Sequence, residues 1–329
     1  MRIKEADYLR AFAIITIVIW HCFVCPLTCW QLIDISTVTS VIGSVASILI
    51  PDANMPLFTF ISGYLFFCMW ENKPTVYQRF KPFISKKVSR LVLPFLVLGT
   101  LVNISAPERY LSQIVYGEGS HLWFCMMLFW CFVIGWIEKH YSKKWLTSII
   151  LIICFSCFVY ARGSNWNMPK FPLGIHNALI YYLYFYFGEI AYKCKGFLEK
   201  VAGIGSLVSA IVYATITMIA FLQVPLLSGL IGIFRPFFYC IALLLIVLYF
   251  INTTQSDYKW LQTLCTYSFG IYVFHEWLSW DLYHIPVILD LFKSAPVLFA
   301  SIFSVIDFTI SYYLTHFLLK TKVGAYLLT

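Results

Sequence analysis

Between Val201 and Phe234 the chain carries no Asp, Glu, Lys, Arg or His. A bilayer core takes about 20 apolar residues per helical crossing. Inside lipid every backbone N–H and C=O must find a protein partner, and an unbroken apolar run of this length meets that demand as helix. Gln223 and Pro225 interrupt it and divide it into two predicted helices, 201–222 and 229–251.

The rest of the chain follows the same pattern. Of its 329 residues, 61% are hydrophobic and 12% are charged, against about 45–50% and about 25% in soluble domains. That excludes an ordinary soluble enzyme and predicts an all-α, polytopic membrane protein with about ten transmembrane helices. The remaining predicted spans are 8–30, 54–70, 87–104, 121–137, 145–161, 173–192, 264–285 and 296–319. Residues 38–50 are apolar but short, which suits a re-entrant or interfacial piece. The N-terminal apolar run from Ala11 to Ile33 is too long for a signal-peptide core and lacks a cleavage site, so it reads as a retained first span. No linker or repeat interrupts residues 1–329, which read as a single membrane domain.

The net charge of +8 marks topology rather than nucleic-acid binding. With ten spans, only Arg109, Arg162, Lys170 and Lys293 fall opposite the N-terminus and Arg235 lies within a span. That leaves 18 of the 23 Lys and Arg on the N-terminal side. Both termini are therefore expected in the cytoplasm. The eleven Cys are scattered through apolar runs without metal-ligand spacing, so no metal is expected and small buried filler is their expected role.

Ionisable side chains within hydrocarbon are costly and are functional candidates by default. The first span, "DYLRAFAIITIVIWH", holds three: Asp7, Arg10 and His21. Eleven residues of helix rise about 16.5 Å and return to within about 20° of the starting direction. Arg10 and His21 therefore share a face, with Arg10 at the cytoplasmic mouth, His21 near the midplane, and Ile14 and Ile17 between them. Asp7, three residues before Arg10, can orient it. The plainer reading is an anchoring Arg10 and a His21 that bonds a neighbouring helix.

His275 and Asp307 are expected at similar depth. Glu276 points about 100° away from His275 on the helix, so the two need not form a dyad. Glu189, near the inner end of the sixth span, suits either a basic partner or a cavity lining. In "KPFISKKVSRLVLP", residues 81–94, Lys87 and Arg90 are three apart and expected on one face. By itself this cluster fixes topology. With Arg10 it forms a cytoplasmic basic mouth suited to phosphates.

These segments, in order, resemble the acyltransferase-3 family of integral membrane acyltransferases. The first span carries an Arg-x10-His pattern as Arg10 and His21, preceded by Asp7. The second reads "MPLFTFISGYLF", residues 55–66, with Ser62, Gly63 and Tyr64. "KKVSRLVLP" resembles the family's basic segment, although Lys87 stands where an Arg is common. "HLWF" opens the fourth span, and the ninth contains "YSFGIYVFH" with Tyr272 and His275. No esterase domain of the kind some relatives append is present in the sequence.

The resemblance implies acyl-CoA, most often acetyl-CoA, as donor and a glycan or lipid-linked saccharide hydroxyl as acceptor, at a bacterial cytoplasmic membrane. The donor's phosphates are expected on Arg10, Lys87 and Arg90, with the thioester beside His21 as general base. Ser62, Tyr64, Tyr272 and His275 are second-tier candidates for orienting the acceptor or stabilising an oxyanion. Packing explains each of these equally well. Ten spans with midplane ionisable groups also suit a proton-coupled transporter or flippase, although no internal symmetry of that kind is visible.

Overall fold

The computed structural model describes residues 2–27, 30, 32, 54–102, 107–118, 120–164, 169–221, 225–254 and 258–328. The predicted short apolar piece at 38–50, Cys29 and Gln223 lie outside the described residues. Every regular element among the described residues is helical. Among the described residues, five helices are long and apolar enough to cross a membrane: Lys4–Phe23, Lys144–Gly163, Lys195–Ile219, Phe234–Thr254 and Pro296–Leu319. Helices also occupy the other predicted spans, but length and apolar composition alone do not mark those as crossings.

The outward faces agree with a lipid surrounding. Ile204, Leu207, Val208 and Ile211 are all exposed, as are Ile302, Val305, Ile306 and Ile310. Contiguous apolar surface of that extent is rare on a protein in water.

The helices form two compact units. One comprises Met1–Asn54 and Ser256–Thr329, the other Met55–Gln255. In the first, α1 (Lys4–Phe23) carries Glu5 and Asp7 in its first turn and His21 in its last, the charge order that a helix dipole favours. It packs against two long helices near the C-terminus, which also pack on each other.

In the second unit, α2 (Asn54–Asn72) leads through a one-turn helix, Pro74–Tyr77, to α3. Helix α3 consists of Phe80–Lys87, a π turn at Val88–Val92, and Leu93–Val102. Next come α4 (Pro107–Tyr116), α5 (Trp123–Tyr141), α6 (Lys144–Gly163) and α7 (Ile175–Lys193). They are followed by α8 (Lys195–Phe221) and α9 (Pro225–Thr254), which pack along each other.

Helices α2 and α7 cross in direct backbone contact. A Cβ on Gly63 would lie 1.9 Å from the Phe185 carbonyl oxygen, and one on Gly188 2.0 Å from that of Phe60. Only glycine admits so close an approach.

The remaining helices belong to the first unit: α10 (Lys259–Tyr283), α11 (Pro286–Ser294), α12 (Pro296–Leu319) and α13 (Lys322–Leu328). Pro286 and Pro296 open their helices, where the missing N–H costs nothing. Tyr283 is fully buried and its ring meets Phe292, Phe299 and Phe303. This aromatic knot ties together the ends of α10, α11 and α12.

Candidate active site

Helix α1 is unbroken from Lys4 to Phe23, so the expected shared face of Arg10 and His21 holds. Arg10 is half-buried, while Ile14, Ile17 and His21 are buried. The stripe between cation and imidazole therefore faces protein. Asp7 does not orient Arg10 by an ion pair. Its Oδ2 takes Arg2 Nε at 2.7 Å, and its Oδ1 accepts from the Cys265 thiol at 3.3 Å. Arg2 lies five residues earlier, where the chain enters the helix, and reaches back to compete for the carboxylate. Cys265, on α10, interacts with both Asp7 and Arg10 and so links the mouth of α1 to α10.

At the other end of the stripe, α10 brings two neighbouring residues to His21. His275 Nε2 lies 3.3 Å from His21 Nδ1, and Glu276 Oε2 lies 3.1 Å from His21 Nε2. His275 and Glu276 do not need to touch each other. The His21 ring stands between them and meets one with each nitrogen. The two imidazoles are edge-to-face, with centroids 4.7 Å apart.

Backbone carbonyls fix the protons. His21 Nδ1 lies 2.9 Å from the Ile17 carbonyl, and His275 Nδ1 lies 3.0 Å from that of Ile271. A carbonyl oxygen only accepts, so each Nδ1 carries a proton and donates it. His275 Nε2 then serves as a second acceptor for His21 Nδ1–H. His21 Nε2 is left as the nitrogen that gains or loses a proton, and it faces Glu276.

A second buried network begins one residue later. Asp307 on α12 is fully buried. Its Oδ2 accepts from Ser279 at 2.5 Å and from the Cys22 thiol at 3.6 Å, and its Oδ1 accepts from Ser311 at 3.2 Å. Tyr283 donates to the Cys22 carbonyl at 2.7 Å. Cys22 is thus a bonding partner across α1, α10 and α12, beyond the filler role expected of it. Most other cysteines are buried, with Cys194 exposed and Cys157 and Cys265 half-buried. Among the described residues no group of three or more His, Cys, Asp or Glu could hold a metal ion.

The second-tier residues separate. Tyr272 is buried with its ring 5.9 Å from that of His275. Ser62 and Tyr64 belong to the second unit, where Ser62 is half-buried and Tyr64 packs edge-on against Tyr192.

Lys87 and Arg90 do not share a surface. Lys87 is buried, its ammonium 3.2 Å from the Phe132 ring centroid and within 6 Å of the Tyr77 and Phe83 rings. Arg90 is exposed. The π turn supplies the reason, because its wider i→i+5 winding replaces the α spacing on which the same-face expectation rested. Beside them, burial together with the charges of Arg90 and Lys73 pushes the Lys86 amine below its usual value.

Glu189 meets basic partners rather than a cavity. It is buried and paired with Lys139 and with Lys193, the latter at 2.7 Å. The sequence reading missed Glu118 and His176. Glu118 Oε1 takes His176 Nε2 at 2.7 Å and its Oε2 takes Lys170 at 2.8 Å. Burial opposes ionisation of Glu118, but hydrogen bonds from Lys170 and His176 more than offset it and hold the carboxyl below its usual value.

A family model described as an acyltransferase domain matches residues 3–316. Neither the curated proteins nor the solved structures contain a match to the chain.

Proposed function

The chain belongs to the acyltransferase-3 family, and from that premise we propose that it moves an acyl group, acetyl first of all, from cytoplasmic acyl-CoA to a hydroxyl of a glycan or lipid-linked saccharide. His21 is the general base in this reading. The observation that carries it is the convergence of His275 and Glu276 on the two nitrogens of His21. A base whose orientation and tautomer are set by its neighbours is typically worth about 10²–10⁴ in rate.

The acceptor oxygen attacks the thioester carbonyl as its proton leaves for His21 Nε2. The tetrahedral intermediate then expels the CoA thiolate. Tyr272, packed against His275, is placed to support that end of the site. Asp307 holds Cys22 and through it the register of His21.

Arg10 and Arg90 are each kept as a candidate for a donor phosphate, because each is a guanidinium with two-pronged donor geometry. Lys87, turned under aromatic rings, is the weaker of the basic candidates. Ile14 and Ile17 are covered by protein, so a pantetheine arm following the α1 stripe has to displace what covers them. Ser62 and Tyr64 remain acceptor-side candidates of the second unit. The same reading takes residues 1–329 as one domain of ten crossings, with both termini in the cytoplasm of a bacterial inner membrane.

The test is label transfer from radiolabelled acetyl-CoA by the purified protein in native-membrane discs. His21→Ala is expected to lose transfer by ~10²–10⁴-fold with folding intact, and Arg10→Ala to weaken acetyl-CoA binding. Retained turnover removes His21 from the mechanism. Flux of substrate without covalent change points to a carrier instead.

A further inference from the structure

We infer that Glu276 is a catalytic residue: its Oε2 and His21 Nε2 act as one proton-accepting unit, and the proton taken from the acceptor hydroxyl comes to rest between them. This inference rests on the acyl-transfer reading above and goes beyond it by naming the second atom of the base.

His21 Nδ1 already holds its proton, directed at the Ile17 carbonyl with His275 Nε2 beside it. Only Nε2 remains for chemistry, and 3.1 Å from it lies a carboxylate oxygen. A nitrogen lone pair and a carboxylate oxygen at that distance repel unless a proton lies between them. The pair therefore has two forms: empty, with both atoms seeking a proton, and filled, with one proton shared. When the empty form takes up a proton, the new positive charge forms against a negative one already in place.

Exposure says where the substrate meets the pair. The cluster opens outward in sequence: His275 is fully buried, the His21 side chain is 8% exposed and that of Glu276 19% exposed. The carboxylate is on the accessible side, so a hydroxyl reaching Nε2 does so past Glu276. Among the described residues, the ionisable groups near the pair include His275 on α10, Cys22 on α1 and Asp307 on α12. The last two are bonded to each other.

The step balances without a further reagent. The hydroxyl O–H bond breaks and its proton fills the His21–Glu276 pair. The oxygen–acyl bond forms and the acyl–sulfur bond breaks, with its electrons leaving on sulfur. The proton then passes to the CoA thiolate, which departs as the thiol and returns the pair to its empty form.

The test measures CoA thiol release and labelled ester formation by the full-length protein, with acetyl-CoA as donor and octyl β-glucoside as the hydroxyl probe. Glu276→Gln places an amide where the proton should rest. It is expected to lower kcat by ~10²-fold or more with little change in acetyl-CoA binding. It should also move the acid limb of kcat/KM to lower pH, since a proton on Nε2 loses its carboxylate partner. Glu276→Asp should recover part of the rate and the original limb. A purely structural Glu276 would lower the amount of folded protein and leave the limb in place, and that result overturns the inference. Wild-type protein that forms neither thiol nor ester overturns the acyl-transfer reading itself, and Glu276 falls with it.

Discussion

Two clusters of buried ionisable groups, one in each unit, use the same carboxylate chemistry to opposite ends. In the second unit Glu189 is 1% exposed and closed between Lys139 and Lys193. Burial works against the Lys193 amine, but Glu189 more than offsets that and holds it above its usual value. Unperturbed carboxylates and lysines ionise at about 4.3 and about 10.4, too far apart for such a pair to trade a proton near neutral pH. In the first unit Glu276 faces an imidazole, whose ordinary value of about 6.5 lies close enough for a proton to change owner. A lysine partner makes a buried carboxylate a rivet. A histidine partner makes it a site.

The contrast breaks first at Glu189. Glu189→Leu takes the carboxylate from Lys193 and leaves Lys139 with Glu138 alone, and should cost about 3–5 kcal/mol, read as a drop in thermal unfolding temperature. The pH profile of the surviving activity should keep its shape. A shifted profile would make the second cluster a proton-handling site as well.

Next in size is the α2–α7 crossing that carries Glu189. Gly63→Ala pushes a methyl into the Phe185 carbonyl and should destabilise by about 1–3 kcal/mol, seen in the same melt. Full stability there would mean the two helices are not held in backbone contact.

Lys87→Met keeps the volume under Phe132 and gives up a cation–π contact worth up to about 2 kcal/mol when desolvated. Acetyl-CoA affinity should be unchanged, whereas Arg90→Ala should weaken it. Equal losses would restore Lys87 to the phosphate-binding set.

The smallest effect lies at Glu118. Its carboxyl is held below the usual value, so its contribution to stability is present above the ordinary Glu range and is lost as pH falls through the lowered value. Glu118→Gln should flatten that acid-side loss in melts taken across pH. An unchanged acid slope would assign it elsewhere.

What was legible in the sequence was whatever depends on one helix at a time. The Arg10–His21 register follows from 3.6 residues per turn, and α1 keeps it without interruption. The apolar runs, the two helices flanking 222–224, and the order of segments resembling one enzyme family are equally local. The same rule failed for Lys87 and Arg90 because a π turn, which no composition signal marked, lies across their spacing. It also gave no reason to single out Glu276. Adjacent residues on a helix diverge by about 100°, and only a ring inserted from another helix can make that divergence useful.

Sequence alone therefore determined the solvent, the secondary structure and the family, because hydrophobic periodicity and local spacing are properties of contiguous chain. Tertiary structure alone decided the partners: His275 and Glu276 for His21, Arg2 rather than Arg10 for Asp7, aromatic faces for Lys87 and lysines for Glu189. Each pairing joins atoms at about 3 Å, and angular preferences within one helix fix no such distance between two.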